Sequence, residues 1–192
     1  VKPTAALSLV AAGMLLLATG CRGTVEQPLE VFGTVPEFAL TAHTGQPFDS
    51  AQQLRGRVWV VDFIFTNCQG PCPRMTSQMR QVQNALTDFK DLRLISITVD
   101  PARDNPEVLA AYATRQKADA RWFFLTGPME TLHKLKREVF FLGNVDGQLN
   151  HSTRFVLVDQ QSRIRAFYDT SDPESIPNLI AAIRRLHTDP SP

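Results

Sequence analysis

The sequence predicts an α/β sandwich: a central mixed β-sheet flanked by helices, with a β-hairpin extension on its N-terminal side. Three observations predict it. Short apolar runs of strand length, at residues 58–65, 92–99 and 122–125, alternate with stretches of helical periodicity. Two further strand-like runs, 153–158 and 164–168, are joined by the polar turn Gln160-Gln-Ser162. A last periodic stretch, 174–186, closes the order as a helix. Strands alternating with helices imply a layered domain built around one sheet.

Each element has its own warrant. Pro36-Glu-Phe-Ala-Leu40 and Gln46-Pro-Phe48 flank Thr44-Gly45, which predicts the hairpin. Residues 58–65, Val-Trp-Val-Val-Asp-Phe-Ile-Phe, are apolar almost throughout, as a central strand buried on both faces is. Met75, Met79, Val82 and Leu86 then fall on one helical face, predicting a helix from about 72 to 89. Pro73 suits its first turn, where a missing N–H costs nothing. Residues 92–99 read as a second buried strand. Asn105 is the cap and Pro106 the first turn of a helix running to about 117. Residues 122–125 form a third strand and 130–139 a helix. In this order the elements describe a sandwich of thioredoxin-like type. Open sheets of this kind place their sites at the carboxyl ends of the strands, which is where the turn after residue 65 falls.

Composition narrows the function. The chain is 43% hydrophobic with a net charge of +1, so neither nucleic acid nor an acidic partner is implied. Lys2, the uncharged apolar residues 5–17 and the small residues before Cys21 have the layout of an export signal, too short to span a bilayer comfortably. Leu17-Ala-Thr-Gly20-Cys21 resembles a bacterial lipobox, in which the cysteine becomes the lipidated N-terminus. The expected division is a signal over 1–20, an anchor and linker over 21–34, and one domain over 35–188. The expected location is exported, anchored by lipid to a membrane facing the periplasm or its equivalent. Oligomeric state has no signal in the sequence.

With Cys21 assigned to the anchor, Cys68 and Cys72 remain, in Phe65-Thr-Asn-Cys68-Gln-Gly-Pro-Cys72-Pro73. They sit on a strand-to-helix turn, where unpaired N–H groups and the helix dipole favour thiolates. Two low-pKa thiols four positions apart can close a disulfide or hold one soft metal ion. A general disulfide exchanger of this architecture has two residues between its cysteines and a proline facing them. This chain has three, and no proline between Pro128 and Pro173. A peroxidase would place a proline upstream of its reactive cysteine, and Asp62-Phe-Ile-Phe65 has none. Thiolates and imidazole suit copper, and His151, in the loop before residues 153–158, is either a third ligand for Cu(I) or Cu(II) or an ordinary surface or packed histidine. Zinc accepts the same ligands but in a structural site usually takes a fourth. His43, His133 and His187 lack a comparable placement. Met75 and Met79 share helical spacing with Val82 and Leu86, which marks them as core rather than thioether ligands.

Three ordered blocks now resemble a known family. The cysteine segment resembles the CxxxCP signature of the SCO/SenC copper chaperones. Thr98-Val-Asp100-Pro-Ala-Arg-Asp104-Asn-Pro106 is similar to that family's second block, and Asn150-His151-Ser152 to its third, where aspartate commonly precedes the histidine. The resemblance spans about residues 35–186. It implies copper held by Cys68, Cys72 and His151, a Cys68–Cys72 disulfide in the oxidised state, and cytochrome c oxidase subunit II or another copper-site protein as partner. It implies delivery of copper to that dinuclear site or preparation of its thiols. A dedicated thiol–disulfide reductase of the partner's copper-ligand cysteines is the enzymatic alternative, and a copper sensor or redox signalling protein a further one. Asp100 stands just past its strand, where it either approaches the metal or a partner or fixes its own Asp-Pro turn. Asp104 reads as a turn or helix-start residue.

Overall fold

The computed structural model describes residues 29–143 and 152–188. In chain order its elements are β1 (Gly33–Thr34), β2 (Ala39–Ala42), β3 (Pro47–Asp49), α1 (Ser50–Gln53), β4 (Trp59–Ile64), α2 (Cys72–Ala85) and β5 (Arg93–Thr98). They continue as α3 (Pro106–Gln116), β6 (Trp122–Thr126), α4 (Met129–Lys134), a π-helical turn (Leu135–Val139), β7 (Arg154–Val158), β8 (Arg163–Asp169) and α5 (Ser175–Thr188). The strands form one mixed sheet in the order β1-β8-β7-β4-β5-β6-β2-β3. β4, β5 and β6 run parallel, and β7 pairs with β4 antiparallel. The expected hairpin is β2–β3, and it joins the sheet through β6 rather than standing apart from it.

Because alternate strand residues face opposite sides, each apolar strand feeds two cores. Val60 and Ile64 of β4 pack with Met75, Met79 and Val82 of α2, Leu109 and Tyr112 of α3, and Leu179 and Ile183 of α5. Val61 and Phe63 pack on the other side with Leu132, Leu135 and Phe140. Asp62 stands between Val60 and Ile64 on their face of the sheet, and is fully buried. β4 is thus fixed in the middle of the molecule, and the turn that leaves its carboxyl end rests on packed structure.

Several helix ends follow the sequence closely. Asn105 caps α3 by accepting from the Val108 amide at 2.9 Å, and Lys117 ends it in the left-handed region at φ 56°. α2 stops at Ala85, four residues short of the expected end. Beyond it Arg121 donates to the Gln83, Leu86 and Phe89 carbonyls, satisfying groups the helix leaves open. Residues 29–34 lie along β8. Arg165 donates to the carbonyls of Leu29 at 2.6 Å and Glu30 at 3.0 Å, while Asp159 accepts from it at 2.7 Å. No helix of the described residues is long and apolar enough to cross a membrane.

Candidate metal and dithiol centre

Cys68 and Cys72 meet at the carboxyl end of β4, as expected. Both are free thiols; Cys68 is half-buried in the connecting turn and Cys72 is the buried first residue of α2. The Cys72 sulfur lies within hydrogen-bonding reach of the Cys68 side chain and of the Phe65 backbone amide. Asn67, Gln69 and Gly70 around Cys68 are exposed. A Cβ at Gly70 would stand in ordinary van der Waals contact with Cys68 Sγ, at 3.8 Å.

The expectation of two acidic thiols is corrected for Cys72. Burial pushes its pKa up to about 12, and the hydrogen bond with Cys68 adds to the shift. A helix terminus contributes about 0.3–1 kcal/mol, less than one pKa unit at 1.36 kcal/mol each. The apolar packing of Cys72 against the α2 core outweighs it. The pair is therefore asymmetric, with one accessible sulfur backed by one buried, protonated sulfur.

Beneath the pair lies a polar chain that the sequence reading missed. Trp122 Nε1 donates to Ser96 Oγ at 3.0 Å, and Ser96 Oγ donates to Asp62 Oδ1 at 2.6 Å. Asp62 Oδ2 is buried and has no partner. Burial raises the Asp62 carboxyl to about 7, with the Ser96 bond acting the other way. Thr76 Oγ1 donates to the Cys72 carbonyl at 2.8 Å, and its oxygen lies 2.9 Å from the Tyr112 hydroxyl. The available signal for Asp62 was a lone charge in the middle of an apolar strand.

The remaining expected residues are placed as follows. Asp100 lies in the β5–α3 turn, where its carboxylate accepts from Arg103 at 2.9 Å and its carbonyl accepts from the Asp104 amide at 2.9 Å. Asp104 is buried and points back toward the cysteine turn, accepting from Thr66 and Thr98. Met75 and Met79 are fully buried in the core. His43 Nδ1 accepts from the Phe124 amide at 3.2 Å, and His187 packs its ring against Phe89 at 4.7 Å. Asn150, His151 and Cys21 lie outside the described residues. Among the described residues, no group of three His, Cys, Asp or Glu side chains converges as a metal site.

A paired-thiol turn between a central strand and a helix, on a mixed sheet with helices on both faces, defines a thioredoxin-like dithiol domain. Comparison with known proteins narrows that class. Residues 26–188 match the SCO1/SenC family, and the chain belongs to it. It is 30% identical over 188 residues to the SCO1 protein homolog of Bacillus subtilis, covering 94% of this chain and 96% of that one. A crystal structure of a SCO1/SenC family lipoprotein from Bacillus anthracis is 34% identical with a TM-score of 0.72, over 81% of this chain and 95% of that one. BsSco, a Sco-family cytochrome c oxidase assembly protein in which a disulfide switch was identified, is 28% identical with a TM-score of 0.73. That match covers 85% of this chain and 99% of BsSco.

Proposed function

We propose that this chain is a membrane-tethered copper-binding assembly factor for cytochrome c oxidase. Cys68 and Cys72, as thiolates, hold one copper ion with His151 as third ligand. The ion passes to the dinuclear copper site of subunit II or another copper-site protein. The observation that carries the reading is the meeting of the two sulfurs at the carboxyl end of a buried strand, with Cys68 half-exposed. Thiolates are soft ligands that suit Cu(I), and a three-coordinate site leaves room for an incoming ligand from the acceptor. Loading releases the thiol protons, so affinity rises with pH. Lipidation of Cys21 would hold the domain at the membrane surface where an oxidase subunit is assembled.

The same asymmetry favours a second reading, reduction of the acceptor's own copper-ligand cysteines. The Cys68 sulfur attacks a disulfide of the partner and releases one partner thiol. Cys72 then attacks Cys68 within the mixed disulfide, releasing the second. The partner gains two electrons and two protons, and Cys68–Cys72 becomes the disulfide. Both readings require the reduced pair, so oxidation turns off metal loading.

Metal titration tests the first reading. The reduced protein, titrated anaerobically with Cu(I) against a chromophoric chelator, is expected to take one equivalent tightly. Cys68→Ser or Cys72→Ser abolishes tight binding, because one of two soft ligands is gone. Near wild-type affinity in either variant would sink the assignment. Copper transfer to an isolated oxidase copper domain, assayed beside insulin reduction, separates the two readings. Thioredoxin-like insulin turnover without copper transfer overturns the chaperone in favour of the reductase.

A further inference from the structure

We infer that Asp104 is the positioning residue of the dithiol centre: its buried carboxylate, on the β5–α3 turn, holds the cysteine turn so that Cys68 meets Cys72. The inference rests on the reading of Cys68 and Cys72 as the working pair. Asp104 is 1% exposed. Its Oδ1 accepts from Thr66 Oγ1 at 2.5 Å, and its Oδ2 accepts from the Thr66 amide at 3.1 Å and from Thr98 Oγ1 at 2.6 Å. Thr66 lies two residues before Cys68, so the anchor grips the chain where it leaves the sheet.

The two cysteines are held by different means. Cys72 is part of α2, buried with Met75 and Met79 in the core. The last sheet bond beside the turn is Val99 N to Ile64 O at 2.9 Å. Past it, the turn is held before α2 by a long bond from the Cys68 amide to the Phe65 carbonyl at 3.4 Å and by the Phe65 amide reaching the Cys72 sulfur. The three bonds to Asp104 are stronger, since hydrogen bonds to a carboxylate are shorter and stronger than those between neutral groups. Asp104 therefore anchors the chain leading into Cys68, while Cys72 is fixed mainly by its place in α2.

A purely architectural role explains Asp104 less well. α3 is already capped by Asn105. Arg103, next in the chain, pairs with Asp100 instead, and among the described residues Asp104 has no ion pair. A buried carboxylate without a cation is costly unless donors surround it. This one is surrounded by donors from the cysteine turn and from the end of β5.

Removing the anchor lowers the effective concentration of one thiol toward the other, and so weakens disulfide closure. The test uses the full chain carrying Cys21→Ser, so that two thiols are read. Each variant is equilibrated in glutathione buffers. There glutathione disulfide is reduced to two glutathione molecules while Cys68 and Cys72 lose two electrons and two protons and form one S–S bond. Asp104→Ala is expected to shift this equilibrium about tenfold toward the dithiol, equivalent to about 30 mV. Asp104→Asn is expected to restore it to within about threefold of the parent. The amide oxygen it introduces accepts from the Thr66 amide and the Thr98 hydroxyl, and the NH2 faces a Thr66 hydroxyl free to rotate. A folded Asp104→Ala whose equilibrium moves less than about threefold, whatever its thermal midpoint, overturns the proposal. If that variant does not fold, Thr66→Val carries the test. It removes the hydroxyl and leaves the amide bond, and a shift of about threefold or more supports the proposal while a smaller one overturns it. The equilibrium is read without metal, so a failure of copper binding in the parent would count against the proposed function and not against Asp104.

Discussion

Replacing Asp62 with asparagine should change how stability depends on pH, in a direction opposite to that of most carboxylates. Asp62 is fully buried, its Oδ2 has no partner, and its carboxyl is raised by burial from 3.8 to about 7. That shift of about three units makes ionisation in the folded state cost about 4 kcal/mol. The sign follows from proton counting. Between pH 3.8 and about 7 the folded chain keeps a proton that the unfolded chain has lost, so stability falls as pH rises through that window. From pH 5 to pH 8 the loss attributable to this one group is about 2.5 kcal/mol. The Asp62→Asn variant keeps an acceptor for Ser96 and cannot ionise at this position, so its profile over that range should be flatter by that amount. The assay is urea unfolding at pH 5, 6, 7 and 8 in a Cys68→Ser, Cys72→Ser background, which removes thiol titration. Parallel pH profiles for that background with and without Asp62→Asn would refute the reasoning, since they would mean that the carboxylate ionises in place without penalty.

Other outcomes follow from the same geometry. At pH 8 an alkylating reagent should modify Cys68 while Cys72, 1% exposed and with its thiol near 12, stays protected until urea unfolds the chain; equal rates in the folded protein would contradict the burial asymmetry. His151→Ala should weaken Cu(II) binding more than Cu(I) binding, because two thiolates alone can hold Cu(I), and X-ray absorption of the wild-type Cu(I) form should show two sulfurs and one nitrogen. A sulfur-only spectrum unchanged by the substitution removes His151 from the ligand set. Cys21→Ser should release the protein from membranes and abolish the mass of a diacylated N-terminus while leaving copper binding intact. Cys21 found in a disulfide of an unlipidated chain would contradict the anchor.

The long elements were legible because period and turn chemistry agree in them. The apolar runs became β4, β5 and β6, and Asn105-Pro106 opened α3 where the capping rule puts it. β1 and α1 were not legible, being two and four residues long and held by distant or local polar partners. Phe32 donates to the Ile164 carbonyl, and Asp49 caps α1 through the Ala51 amide. The π-helical turn is equally invisible to a 3.6-residue period, since it depends on the Phe140 amide reaching Leu135. At the site, the cysteines declare themselves by motif, but the motif overstates the acidity of Cys72. A sequence shows that a cysteine opens a helix without showing how deeply apolar neighbours enclose it. Asp104 reads as a turn or helix-start residue, and its grip on Thr66, 38 positions away, exists only once β4 and β5 lie side by side.

Arg165 does more than neutralise Asp159. By holding the carbonyls of Leu29 and Glu30 against β8, it fixes the position of Leu29 on the sheet. Eight peptide units separate Leu29 from Cys21, and a fully extended chain covers at most about 3.6 Å per residue. With Cys21 seated in the bilayer surface as proposed, Leu29 can rise no more than about 29 Å above it. So tethered, the dithiol would stay close to one membrane, where an acceptor in the same bilayer would meet it at an effective concentration in the millimolar range. Encounter frequency would be governed by leash length, and lengthening the segment between Cys21 and Leu29 would dilute the delivery step without touching the thiols.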